Sequence, residues 1–166
     1  IPFSVVATEV LTGAEVVFRE GPSVERVMAS AALPGIFPAV TVDGVQYMDG
    51  GVADNTPLSQ AVTAGADTIY ILACGTACAL SQPPRSSIGV VLQALSVLMQ
   101  GRLWQDVSHY SGICQIHAVP PVCPIQVGAL DYRRSGELIE RAYVSTRRWL
   151  DSGAPSAIGL LKPHVH

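Results

Sequence analysis

Apolar and polar residues alternate in the opening stretch IPFSVVATEV with the two-residue period of a buried strand, and a second β-branched run, Val16 to Arg19, follows across Thr12-Gly13. Residues 3 to 10 and 16 to 19 are therefore expected to form a hairpin-like pair. The period then changes. In PSVERVMASAALPG, apolar residues at Val24, Val27, Met28, Ala31 and Ala32 keep helical spacing, Ser23 offers an N-cap, and Pro34-Gly35 supplies a stop. Alternation returns in FPAVTVDGVQYMDGG around Asp43-Gly44, a two-residue hairpin signal, and the second arm runs directly into Asp49-Gly50-Gly51.

Further along, Thr56-Pro57 marks a helix start with Pro57 at the first helical position, and Gly65 marks its end. The continuous apolar run DTIYILAC suits a strand covered on both faces. A loop over 74 to 86, a long helix from about Ser87 to Ser108, a strand near Cys114 to Val119 and a proline-rich loop from Pro120 to Pro124 follow. The last helix has Ser135 as a cap, Leu138, Ile139, Ala142, Tyr143, Thr146 and Leu150 on one face, and Gly153 at its end. This alternation predicts an α/β layered domain with a largely parallel sheet flanked by helices. The expected domain runs over 1–153, with an irregular tail over 154–166. The chain opens on strands that look like sheet interior or edge, so it is read as the C-terminal part of such a domain.

Composition narrows the function classes. With 49% hydrophobic and only 14% charged residues over 166 positions, the chain is ordered and large enough for a core. Ten Lys and Arg against thirteen Asp and Glu, a net charge of -3, speak against a nucleic-acid partner. No apolar run reaches the roughly 18 residues of a membrane span; the closest, IGVVLQALSVLM, is interrupted by Gln93 and Ser96, and a cytoplasmic or peripheral-membrane location is favoured. Cys74, Cys78, Cys114 and Cys123 match no usual zinc spacing, even with His109 and His117 nearby; free thiols are expected, and disulfides among them stay open. No nucleotide-binding motif is present, and neither a cofactor nor a metal is expected.

Asp49 is the residue with most chemical promise. A strand ending in Asp-Gly-Gly presents a carboxylate at its C-terminal end, and glycines let the chain turn sharply there. The tripeptide alone equally fits an Asx-turn in which the carboxylate serves only its own loop. Asp43 and Asp54 lie close in sequence, but Asp43 belongs to a hairpin tip, so a cation site is not expected; Asn55 is expected to hydrogen-bond within the loop.

Residues 28 to 58, MASAALPGIFPAVTVDGVQYMDGGVADNTPL, resemble the C-terminal block of patatin-like phospholipases, in which a helix ending in Ala-Ser-x-Ala-x-Pro-Gly-x-Phe-Pro precedes a hairpin and a D-G-G or D-G-A motif. VVATEVLTGAEVVFREG before the block and GADTIYIL after it extend the likeness. The resemblance implies that Asp49 is the aspartate of a Ser-Asp dyad, with Gly50 and Gly51 completing its turn. It implies an acyl hydrolase acting on lipid esters, at a membrane surface or in solution. The family's G-x-S-x-G elbow and glycine-rich oxyanion loop are absent from this sequence. The nucleophilic serine is therefore expected from an upstream polypeptide segment. The alternative is a noncatalytic lipid-binding module, or a degenerate relative without a nucleophile.

Overall fold

The computed structural model describes residues 2–21, 23–73, 82–122, 132–156 and 158–161, which divide into two compact units, 1–57 and 58–166. In the first unit, strand β1 (Val5–Glu9) pairs antiparallel with β2 (Glu15–Phe18), as the alternation predicts, through a turn in which Gly13 takes φ +71°. Helix α1 (Ser23–Ser30) comes next, then the β3 (Val40–Val42) and β4 (Val45–Asp49) hairpin. Asp43 and Gly44 adopt φ 50° and 82°, the pair of positive values that a tight two-residue hairpin turn demands. Strand order in this sheet is β2-β1-β4-β3, antiparallel throughout. The short helix α2 (Gly51–Asp54) follows β4 after the single residue Gly50.

The core of this unit joins Ala7, Ala29, Val42 and Tyr47, with Val16, Phe18 and Val40 packed around it. Of the apolar positions at helical spacing, Val24, Val27, Met28, Ala31 and Ala32, the structure buries Ala32 and, outside that set, Ala29, and leaves the others exposed, Met28 at 57%. Alanine lets the helix backbone lie close to the sheet, which a valine or methionine stripe would prevent. Arg26 of the same helix sits 5.2 Å from the Phe18 ring centre and 3.7 Å from the Asp43 carboxylate, linking helix, sheet and hairpin tip. Phe18 in turn meets Tyr47 edge to face, with centroids 5.2 Å apart.

The second unit begins with α3 (Leu58–Thr63), one residue beyond Pro57, and ends that helix at Gly65 with φ +81°. β5 (Thr68–Leu72) and β6 (Gln115–Val119) pair in parallel, from Thr68 opposite Gln115 to Leu72 opposite Val119. Between them runs α4 (Ser87–Tyr110), capped by Ser86, whose hydroxyl accepts from the Gly89 amide at 3.1 Å. A single 3-10 turn (Tyr132–Arg134) leads into α5 (Ser135–Asp151). Ser135 does not cap this helix: its hydroxyl donates to the Tyr132 carbonyl at 2.7 Å.

Leu58, Ile71, Leu103, Val107, Ile116, Ala118 and Leu161 form the second core. Leu161 belongs to a 3-10 turn (Ile158–Leu161), so the expected irregular tail is folded at least that far. Trp149 Nε1 donates to the Pro155 carbonyl at 2.8 Å and holds the return of the chain against α5. The parallel arrangement is therefore seen in the β5–β6 pair, while the four-stranded sheet is antiparallel. Tyr70 and Leu72, expected under cover, are 57% and 71% exposed among the described residues. The expected loop over 74 to 86 lies outside the described residues as far as residue 81, as do Cys74, Cys78 and Cys123; Cys114 is a free thiol.

Candidate active site

Asp49 is the last residue of β4, opposite Ala7 of β1. Its backbone is held on both sides. The Asp49 amide donates to the Ala32 carbonyl at 3.0 Å and the Gly50 amide to the Ser30 carbonyl at 3.3 Å, so the chain leaving α1 buttresses the strand end. Thr8, fully buried in β1, donates its hydroxyl to the Asp49 carbonyl at 2.9 Å and accepts from the Ala53 amide at 3.1 Å. One hydroxyl thus joins the strand that ends in Asp49 to the helix that follows it. A threonine inside an apolar run reads only as strand pattern, and the sequence reasoning missed it.

The glycines act differently from the expectation. Gly50 has φ −61° and ψ −27°, ordinary right-handed values open to any residue. What excludes a side chain is proximity: a Cβ on Gly50 would lie 2.2 Å from the Val6 carbonyl oxygen and 2.7 Å from its carbon. Gly51 opens α2, and its amide donates to Asp49 Oδ1 at 2.7 Å. The carboxylate therefore does make the local Asx-type bond, with one oxygen. Among the described residues, Oδ2 receives no hydrogen bond.

Burial raises the Asp49 carboxyl above its ordinary value of 3.8, and the hydrogen bond from Gly51 offsets part of that rise. Desolvation disfavours the charged form; the amide favours it. The net result is a stronger base than an exposed aspartate, anchored at Oδ1 and open at Oδ2.

Neighbouring candidates have other duties. Asp43 faces Arg26 at the hairpin tip, and Asp54, buried, accepts from the Thr56 amide at 3.1 Å through Oδ1. Asn55 stands exposed as the C-cap of α2. No group of three His, Cys, Asp or Glu among the described residues could hold a metal ion. His117 stacks on Tyr70 at 5.0 Å and His109 meets Tyr110 edge to face at 4.7 Å, both in the second unit.

The family model for patatin-like phospholipases matches residues 1–62. An uncharacterized NTE family protein of Mycobacterium tuberculosis is 39% identical over 67 residues, which is 40% of this chain and 19% of that protein. One of Mycobacterium bovis matches to the same extent. The uncharacterized protein YjjU of Escherichia coli is 36% identical over 47 residues, 28% of this chain and 13% of its own length. These matches span about a fifth or less of the relatives' length. The segment that carries Asp49, the strand beside it and the turn that follows it lies within the residues, 1–62, that the patatin-like phospholipase model matches.

Proposed function

We propose that this chain supplies the general base of a serine acyl hydrolase that cleaves ester bonds of lipids through a Ser-Asp dyad. The observation that carries this reading is the Asp49 carboxylate, raised in basicity by burial, pinned at Oδ1 by the Gly51 amide at 2.7 Å and open at Oδ2. The serine comes from a segment of the whole protein outside these 166 residues, since no G-x-S-x-G occurs in them.

In this mechanism Asp49 Oδ2 accepts the serine hydroxyl proton as Oγ attacks the ester carbonyl, and returns it to the leaving alcohol oxygen as the ester bond breaks. Water then attacks the acyl-serine, giving its proton to the same oxygen, and the acid is released as the serine is reprotonated. No histidine is required. Gly50 and Gly51 maintain the carboxylate's position, and Asn55 closes the short helix after it. No helix among the described residues is long and apolar enough to cross a membrane, and action at a lipid surface fits a peripheral protein.

The test is Asp49→Ala in the full-length protein, assayed for release of fatty acid from phospholipid and other acyl esters, with thermal unfolding as the control for folding. General-base removal should lower the rate by at least about a hundredfold. Turnover retained near the wild-type level overturns the assignment.

A further inference from the structure

Thr8 is fully buried in β1, and its hydroxyl serves two elements at once: it donates to the Asp49 carbonyl at 2.9 Å and accepts from the Ala53 amide of α2 at 3.1 Å. We propose, on the hydrolase reading of Asp49, that Thr8 is a positioning residue for the general base, its hydroxyl fixing the direction of the carboxylate.

The carboxylate is oriented by the bond from the Gly51 amide to Oδ1 at 2.7 Å, and Oδ2 is aimed by whatever fixes that bond. Its acceptor belongs to the last residue of β4 and its donor to the first residue of α2. α2 spans four residues, has no side-chain cap, and is too short to hold its place by helix formation alone. The Ala53 and Asp54 amides donate to the Gly50 carbonyl at 3.1 and 2.8 Å, which shapes the turn without reaching β1. The Thr8 hydroxyl makes that attachment and holds the Asp49 carbonyl through the same oxygen. Both partners of the Gly51 bond are therefore tied to one buried atom. Branching at Cβ restricts χ1 of a threonine, so the hydroxyl keeps the orientation that serves both.

Loss of the hydroxyl frees α2 to move relative to β4 and loosens the Gly51 bond. The proton-accepting oxygen then loses its alignment, and a displacement of about 1 Å costs up to about a hundredfold in rate. The carboxyl, raised by burial, also loses a donor that favours its charged form, and so rises further. Charged groups on the surrounding elements have other duties. Glu9 of β1 accepts from the Thr12 hydroxyl, Glu25 of α1 is exposed, Arg26 pairs with Asp43, and Asp54 of α2 accepts from the Thr56 amide. β3 carries no ionisable residue.

Steady-state hydrolysis of p-nitrophenyl butyrate by the full-length protein tests the role, in wild type, Thr8→Val, Thr8→Ser and Asp49→Ala, with circular dichroism at each pH to keep the comparison to folded enzyme. Thr8→Val should lower kcat about tenfold or more, leave KM within about twofold, and move the acid limb of the pH profile upward. Thr8→Ser, which restores the hydroxyl, should return kcat to within about threefold of wild type and the acid limb to its place. If Thr8→Val does not fold, Thr8→Ala against Thr8→Ser isolates the hydroxyl with the methyl absent from both. A folded Thr8→Val with wild-type kcat and acid limb, or a Thr8→Ser as impaired as Thr8→Val, overturns the role of Thr8 while an inactive Asp49→Ala leaves the hydrolase reading standing. An active Asp49→Ala overturns both.

Discussion

The two units solve the same packing problem in opposite ways. Residues 1–57 build an antiparallel sheet whose strands are joined by tight turns and backed by a helix that presents alanines, so backbones approach closely and hydrogen bonds fix the strand ends. Among the described residues, 58–166 rely instead on a parallel strand pair and two long helices, α4 and α5. Close backbone contact fixes the strand end that carries Asp49, whereas the second core is assembled from larger side chains such as Leu58, Leu103 and Leu161. The family match falls mainly in the first.

The sharpest test of this contrast compares two glycines. Gly50→Ala forces a Cβ against the Val6 carbonyl and should cost about 3 kcal/mol, seen as a lowered urea midpoint together with loss of activity. In α4, Gly101 has nothing within 4 Å of a Cβ, so Gly101→Ala should gain up to about 1 kcal/mol from helix propensity. Equal effects at the two positions would erase the distinction.

A smaller effect is expected from Thr8→Val, which preserves shape but removes both hydrogen bonds of the hydroxyl, to the Asp49 carbonyl and from the Ala53 amide, leaving that amide only its bond to the Gly50 carbonyl at 3.1 Å. Denaturant unfolding should show a loss of about 2 kcal/mol. A loss under a few tenths would mean that the hydroxyl does not secure the strand to α2.

The smallest shift concerns charge. Burial holds the Asp49 carboxyl above 3.8, so the folded protein retains this proton to higher pH than the unfolded chain does. Stability from this group consequently falls as pH rises from the unfolded value through the raised folded one, and the penalty is complete above both. Asp49→Asn keeps an oxygen to accept from Gly51 and removes the ionisation. Its melting temperature should exceed that of wild type at pH 7, the gap closing as pH falls below 3.8. A wild type more stable than the variant at pH 7 would contradict burial as the dominant influence.

The legible features were those encoded by neighbours in sequence. Asp43-Gly44 specifies its turn within four residues, and the β1–β2 alternation and the end of β4 at Asp49 are read from period alone. Helical spacing identified α1 and, in Ala32, one of its buried positions, but not Ala29, because only the sheet's proximity selects the small residues over Val24, Val27 and Met28. Gly50 was correctly singled out for the wrong reason: its conformation is ordinary, and the restriction comes from Val6. Leu161 lay hidden in a short, proline-containing tail, since the core that receives it is assembled from residues as distant as Leu58.

The Thr8 hydroxyl has a kinetic consequence. It bonds to residues 41 and 45 positions away, whereas the β3–β4 hairpin closes within ten residues. Hairpins form in about 1–10 μs, and long-range closures carry a larger entropy cost. A folding chain therefore acquires its aspartate at a strand end well before that aspartate acquires its surroundings, and the competent carboxylate matures only when β1 docks.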